Sequence, residues 1–132
     1  MNDEGSTALS VWIVDDEPGF RSLVRKVAEA RNWKAVEFSG GAELIDKLQT
    51  QPAPNLIVLD MVMPDMDGIE TILKISEHSR EAQILIVSGR NILYGTIAEH
   101  LGRKDDLNIL GTLSKPVSIE NLGEYFSQVE RQ

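Results

Sequence analysis

An open parallel α/β sheet with helices on both faces is the fold class this sequence predicts. Three observations carry that reading. Short apolar runs alternate with segments of helical periodicity five times along a chain of 132 residues. Two of the runs, LIVL at Leu56–Leu59 and ILIV at Ile84–Val87, are almost continuously aliphatic, which suits central strands buried on both faces. Turn-forming residues punctuate the junctions, so the chain reads as repeated strand–helix units.

The elements follow in order. Leu9–Val14 is a strand that stops at Asp15–Asp16. Pro18 stands where a first helical turn tolerates proline. Phe20, Leu23, Val24, Val27 and Ala28 then recur at helical spacing as far as Arg31. Lys34–Phe38 alternates like a strand, Ser39–Gly40–Gly41 breaks it, and Ala42, Leu44, Ile45 and Leu48 mark a second helix. A Pro-rich loop, Gln51–Pro54, leads into the run that ends at Asp60. Met61–Gly68 is rich in turn residues, and Ile69, Ile72, Leu73 and Ile75 give a third helix. The fourth run ends at Ser88–Gly89, after which Ile92, Leu93, Ile97, Ala98 and Leu101 suit a fourth helix. Asn108–Leu113 reads as a strand with Gly111 inside it, ended by Ser114–Lys115–Pro116. Ser118 is a good N-cap, with Asn121 where a capping box carries Glu or Gln. Ile119, Leu122, Tyr125, Phe126 and Val129 give a last amphipathic helix. The expected organisation is a flexible N-terminus over 1–8 and one domain over 9–132.

Composition narrows the chemistry. With no cysteine, a disulfide framework, a thiol nucleophile and a zinc–thiolate site are excluded. Thirteen basic against twenty-one acidic residues give a net charge of −8, which repels DNA, so no direct nucleic-acid contact is expected. No apolar run approaches the roughly 20 residues of a membrane span, so no membrane role is expected. The N-terminus is polar and acidic, unlike a signal peptide, which makes the cytoplasm the expected compartment.

In an open α/β sheet, ligands sit beyond the carboxyl ends of the strands, where the strand order reverses. Asp15, Asp16, Asp60, Ser88 and Lys115 all fall at such ends. Three converging aspartates are costly unless a cation neutralises them, and an oxygen-only set without His or Cys suits a hard ion such as Mg²⁺. The plainer explanations are a helix cap for Asp15 and Asp16, another cap for Ser88, and a solvated surface charge for Lys115. Each would serve if the residue stood alone. Asp60 ends a buried strand, where a lone carboxylate needs a reason. A carboxylate can act as nucleophile toward a phosphoryl group, provided that charge on the three equatorial oxygens is neutralised. Mg²⁺, the Lys115 ammonium and the Ser88 hydroxyl with backbone N–H groups can each cover one. A cis bond at Pro116 would aim the lysine back at the sheet edge.

From Leu9 to Val129 the chain resembles the receiver domains of response regulators in two-component signalling. The resemblance rests on VDDEP, LIVLDMVMPDMDG, IVSG and SKP, in that order, each at a strand end. It implies a flavodoxin-like doubly wound sheet of strand order 2-1-3-4-5 with five helices. It implies that Asp60 is the phosphoacceptor, and that Asp16, Asp60 and the Val62 main-chain carbonyl ligate Mg²⁺, with Asp15 acting through water. Ser88 resembles the switching hydroxyl and Lys115 the lysine that pairs with the phosphoryl group. Pro64 and Gly68 resemble shapers of the loop beneath. The implied partners are a sensor histidine kinase or phosphotransfer protein and an effector that the sequence does not name. Val62 and Arg90, two positions after Asp60 and Ser88, would flank the path of hydrolytic water, and neither can activate it, so slow dephosphorylation is expected.

Two departures stand out. Thr112 occupies the place where many members carry an aromatic residue that swings inward. The stretch between Ser88 and Lys115 is longer than usual, around Gly102–Asp106. Beside the phosphorylation switch, which is not an enzyme of external substrates, two alternatives stay open. One is a small Mg²⁺-dependent phosphohydrolase, against which neither His78 nor His100 falls at a strand end. The other is a receiver-like interaction module that takes no phosphate.

Overall fold

A computed structural model describes residues 8–79, 81–89, 96, 100, 101 and 107–132. Five parallel strands, β1 (Ser10–Val14), β2 (Lys34–Phe38), β3 (Leu56–Asp60), β4 (Gln83–Ser88) and β5 (Asn108–Ser114), form one sheet. Their order is β2-β1-β3-β4-β5. The chain therefore leaves β1 toward one edge and returns on its other side at β3, so the reversal lies between β1 and β3.

Four helices are bounded among the described residues: α1 (Pro18–Ala30), α2 (Gly41–Thr50), α3 (Gly68–His78) and α4 (Ile119–Glu130). Of the helix expected over Ile92–Leu101, only Thr96, His100 and Leu101 are described, each helical. The remainder of it, Arg90 and the longer stretch at Gly102–Asp106 lie outside the described residues, as do residues 1–7 of the expected flexible N-terminus.

Alternation along each strand divides the core in two. Trp12 and Val14 of β1, with Ile57 and Leu59 of β3, face Leu44, Leu48, Ile72 and Ile75 of α2 and α3. Val11 and Ile13, with Leu56 and Val58, face Val24, Ala28, Leu122 and Phe126 of α1 and α4. β3 and β4 are buried at every position, as their unbroken aliphatic runs require. The helix boundaries follow local chemistry. Pro18 opens α1, the Asp67 side chain accepts from Glu70 N at 2.9 Å to open α3, and Ser118 Oγ accepts from Asn121 N at 3.0 Å to open α4. After α1, Asn32 takes a left-handed φ of 66°, a conformation Asn tolerates better than most residues.

Gly111 has a structural reason. The β4–β5 register slips between Ile84 and Leu85, whose partners are Ile109 and Gly111, so Leu110 is the extra residue of a bulge. A side chain at Gly111 would run into the Tyr125 ring packed over it from α4.

Candidate functional site

The reversal between β1 and β3 brings their carboxyl ends side by side, and the three aspartates follow from that. Asp15 is the first residue beyond β1, held by its N–H to Phe38 O at 3.1 Å, and Asp60 is the last of β3. Oxygens of Asp15, Asp16 and Asp60 lie within 4.8 Å of one another. Asp15 and Asp60 are buried and Asp16 is exposed. Ser88 ends the neighbouring strand β4 and is 1% exposed. Its carbonyl accepts from Lys115 N at 2.9 Å, which brings the segment after β5 against the site. The Lys115–Pro116 bond is cis. All five strand-end residues thus meet at one edge of the sheet.

Lys115 is no solvated surface charge. Its Nζ donates to Asp15 Oδ2 at 2.8 Å and to Glu17 Oε1 at 2.9 Å, lies 4.0 Å from Asp60 Oδ1, and rests 4.7 Å above the Phe20 ring. Nor do Asp15 and Asp16 occupy the cap of α1: that position is Glu17, which makes no side-chain cap bond. Asp15 Oδ1 instead accepts from Glu17 N at 2.8 Å, so one half of this carboxylate secures the turn and the other faces the lysine.

Among the described residues one ammonium faces three aspartates and Glu17, and does not balance them. Burial pushes the Asp60 carboxyl up to about 6, and the charges of Asp15 and Asp16 add to the effect while Lys115 opposes it. Asp15 is raised as well, by burial, against the pull of its bond to Lys115. Lys115 itself is held above its ordinary value: burial lowers it, and the bonds to Asp15 and Glu17 outweigh that. A deficit of positive charge in an oxygen-only cluster fits a hard divalent cation that uses few protein ligands.

The loop after Asp60 is shaped by close approach. Val62 N points to Asp60 Oδ1 at 3.5 Å, and the Val62 side chain is 59% exposed at the rim. Gly68 N donates to Met61 O at 2.9 Å, and a Cβ at Gly68 would come within 2.7 Å of Met61 Cα. Only glycine fits there without moving backbone. Pro64 lies exposed in the same loop. Thr112 sits in β5 opposite Ile86.

Two site residues escaped sequence reasoning. Glu17 read as the tail of VDDEP, and Phe20 as one more apolar position of a helix. The signal for Glu17 was its place one residue before a helix-opening proline, where a long carboxylate has no capping geometry to satisfy.

Known proteins resemble this chain in sequence and fold. The family described as the response regulator receiver domain matches residues 11–127. The transcriptional regulatory protein TrcR of Mycobacterium tuberculosis is 28% identical over 86% of this chain and 42% of its own length. Sporulation initiation phosphotransferase F of Bacillus subtilis is 27% identical over 85% of this chain and 86% of its own length. The chain therefore spans under half of the first and most of the second. A response regulator of Colwellia psychrerythraea superposes with a TM-score of 0.77 at 31% identity, over 96% of this chain and 100% of that one. A receiver domain protein of Methanospirillum hungatei does so with a TM-score of 0.82 at 19% identity, over 95% and 96%, which speaks for the fold alone. The chain belongs to the response regulator receiver domain family.

Proposed function

We propose that this receiver accepts a phosphoryl group on Asp60 and that the modified state changes which protein it binds. One observation carries the reading: Asp60 ends a fully buried strand beside two further carboxylates, with the Lys115 ammonium 4.0 Å away. A carboxylate so placed is an oxygen nucleophile with a cation ready for the charge it receives. An Asp60 oxygen forms the new bond to phosphorus as the bond to the donor's leaving group breaks. Lys115 and the Ser88 hydroxyl then meet the phosphoryl oxygens. Asp16, Asp60 and the Val62 carbonyl would hold Mg²⁺, with Asp15 engaged through water. When bound, the ion supplies charge neutralisation for the phosphoryl group and the carboxylates around it. Pro64, Gly68 and Pro116 keep the surrounding loops in place.

The donor is a sensor histidine kinase or a phosphotransfer protein, the setting is a cytoplasmic phosphorelay, and the output is a protein effector rather than turnover of an external substrate. With Thr112 at the aromatic position, the response runs through Ser88 and the segment after it. Incubation with a small phosphodonor and Mg²⁺, followed by intact mass, tests the reading. A gain of one phosphoryl group is the expected result. Continuous phosphate release without a stable adduct would make the chain a hydrolase, and no change at all would make it a binding module.

A further inference from the structure

We propose that Glu17 is a positioning residue for Lys115, parking its ammonium short of Asp60 at rest and yielding it when a phosphoryl group arrives. The inference rests on the receiver reading above and names a control on that site. The Glu17 backbone is fixed on both sides: its N–H donates to Asp15 Oδ1 at 2.8 Å, and its carbonyl accepts from Arg21 N at 3.2 Å in the first turn of α1. Its side chain is free of capping duty and meets Lys115 Nζ at 2.9 Å instead.

Donor accounting shows what the contact does. An ammonium has three N–H donors. One goes to Asp15 and one to Glu17, and with these two contacts made the nitrogen stands 4.0 Å from Asp60, beyond hydrogen-bond reach. The two contacts differ in strength. Asp15 is fully buried, whereas the Glu17 side chain is 64% exposed. Charges that face water attract each other weakly and are screened, so the bond to Glu17 is the one that gives way. Phosphate on Asp60 brings anionic acceptors into the gap. Once Glu17 lets go, the nitrogen can swing toward them with the freed donor and the third one, which neither contact uses. Glu17 therefore favours the unphosphorylated state and slows acceptance. Its place on the rim of a groove of about 580 Å³, lined also by Phe20, Leu23, Gly89 and Val117, leaves it open to the partner that approaches Asp60.

The test is a double-mutant cycle on the full chain, read as the initial rate of mass gain with phosphoramidate in Mg²⁺ buffer. Glu17→Gln in the natural background is expected to accelerate labelling by about two- to five-fold, the range of an exposed ion pair. In a Lys115→Met background the same change should leave the slower rate unaltered. Equal rates for Glu17→Gln and the natural chain would overturn the proposal. So would an equal acceleration in the Lys115→Met background, since Glu17 would then merely repel the anionic donor. A second readout needs no phosphate: the ¹H–¹⁵N signal of the Lys115 ammonium, slowed in exchange by its two acceptors, should broaden or vanish in Glu17→Ala, which removes one acceptor, and change less in Glu17→Gln, whose amide oxygen still accepts. An unchanged signal in Glu17→Ala would overturn the contact itself, while failure of the natural chain to label with the signal behaving as expected would overturn the receiver reading alone.

Discussion

At the carboxyl edge of the sheet, Asp15 and Asp60 share one ammonium and both stand above the ordinary carboxylate range, because burial outweighs their partner. At the far end of α1 the balance is reversed. There Glu130 of α4 accepts from Arg31 at 2.7 and 3.0 Å and from Trp33 Nε1 at 2.8 Å, and its carboxyl is held below the ordinary range by the Arg31 bonds first and Trp33 second. Glu37, bound by Arg25 and Arg21, behaves likewise. These satisfied groups tie elements together: Arg31 also reaches Ser127, so α1 and α4 are joined beneath their shared core. Acidity alone thus marks nothing. What distinguishes the site is carboxylate charge that its partners among the described residues leave uncompensated inside the fold, an arrangement that could hold a cation.

The largest effect separating the two regions is expected from Asp60→Asn. Asp60 has a carboxyl near 6 in the folded state against an ordinary 3.8, so the native protein binds the proton more tightly than the unfolded chain. Stability from this group is present at low pH and is lost as pH rises through about 4 to 6, by roughly 2–3 kcal/mol at neutrality. Removing the charge should restore that amount at pH 7 without added metal, read as a higher urea midpoint, and should change little near pH 4. A lower midpoint at pH 7 would mean that Asp60 is already satisfied.

Next in size is the response to Mg²⁺. At ten times its dissociation constant a single bound ion stabilises the fold by about 1.4 kcal/mol. The natural chain should melt higher in Mg²⁺ and the Asp60→Asn and Asp16→Asn variants should gain less. Equal gains in all three would place the ion elsewhere. The smallest effect belongs to the satisfied region. Glu130→Gln should cost about 1 kcal/mol, since the pair is partly exposed and Trp33 Nε1 loses its charged acceptor. Its sign is opposite to that of Asp60→Asn, and its contribution runs the other way with pH: present above the ordinary glutamate range, lost as pH falls through the lowered folded value.

Strand ends were legible in the sequence because aliphatic runs stop abruptly at polar residues, and a two-sided strand permits no earlier stop. Asp60 and Ser88 were therefore placed by position before any geometry, whereas Lys115 was placed by the Ser–Lys–Pro that ends β5, a strand only partly buried. Ser118 was legible because a cap acts over three residues, and Pro18 because it tolerates only the first turn. The Glu130 cluster was not, since Arg31 and Glu130 stand 99 residues apart and nothing local to either announces the other. Glu17 was hidden for a related reason: its partner lies 98 residues on, and its neighbours make it look like part of a motif rather than a member of the site. Gly111 showed itself as an interruption, and only the register of β4 against β5 explains it as a bulge beneath Tyr125.

The claim that Asp60 is the acceptor is tested most directly by locating the phosphoryl group. The chain is labelled with phosphoramidate in Mg²⁺ buffer and reduced with borohydride, which converts an aspartyl phosphate to homoserine, and its peptides are then sequenced by mass. The account predicts homoserine at position 60, with Asp15, Asp16, Asp65 and Asp67 unchanged, and no conversion in Asp60→Asn. Homoserine at any of those four positions, or undiminished labelling of the variant, would contradict it.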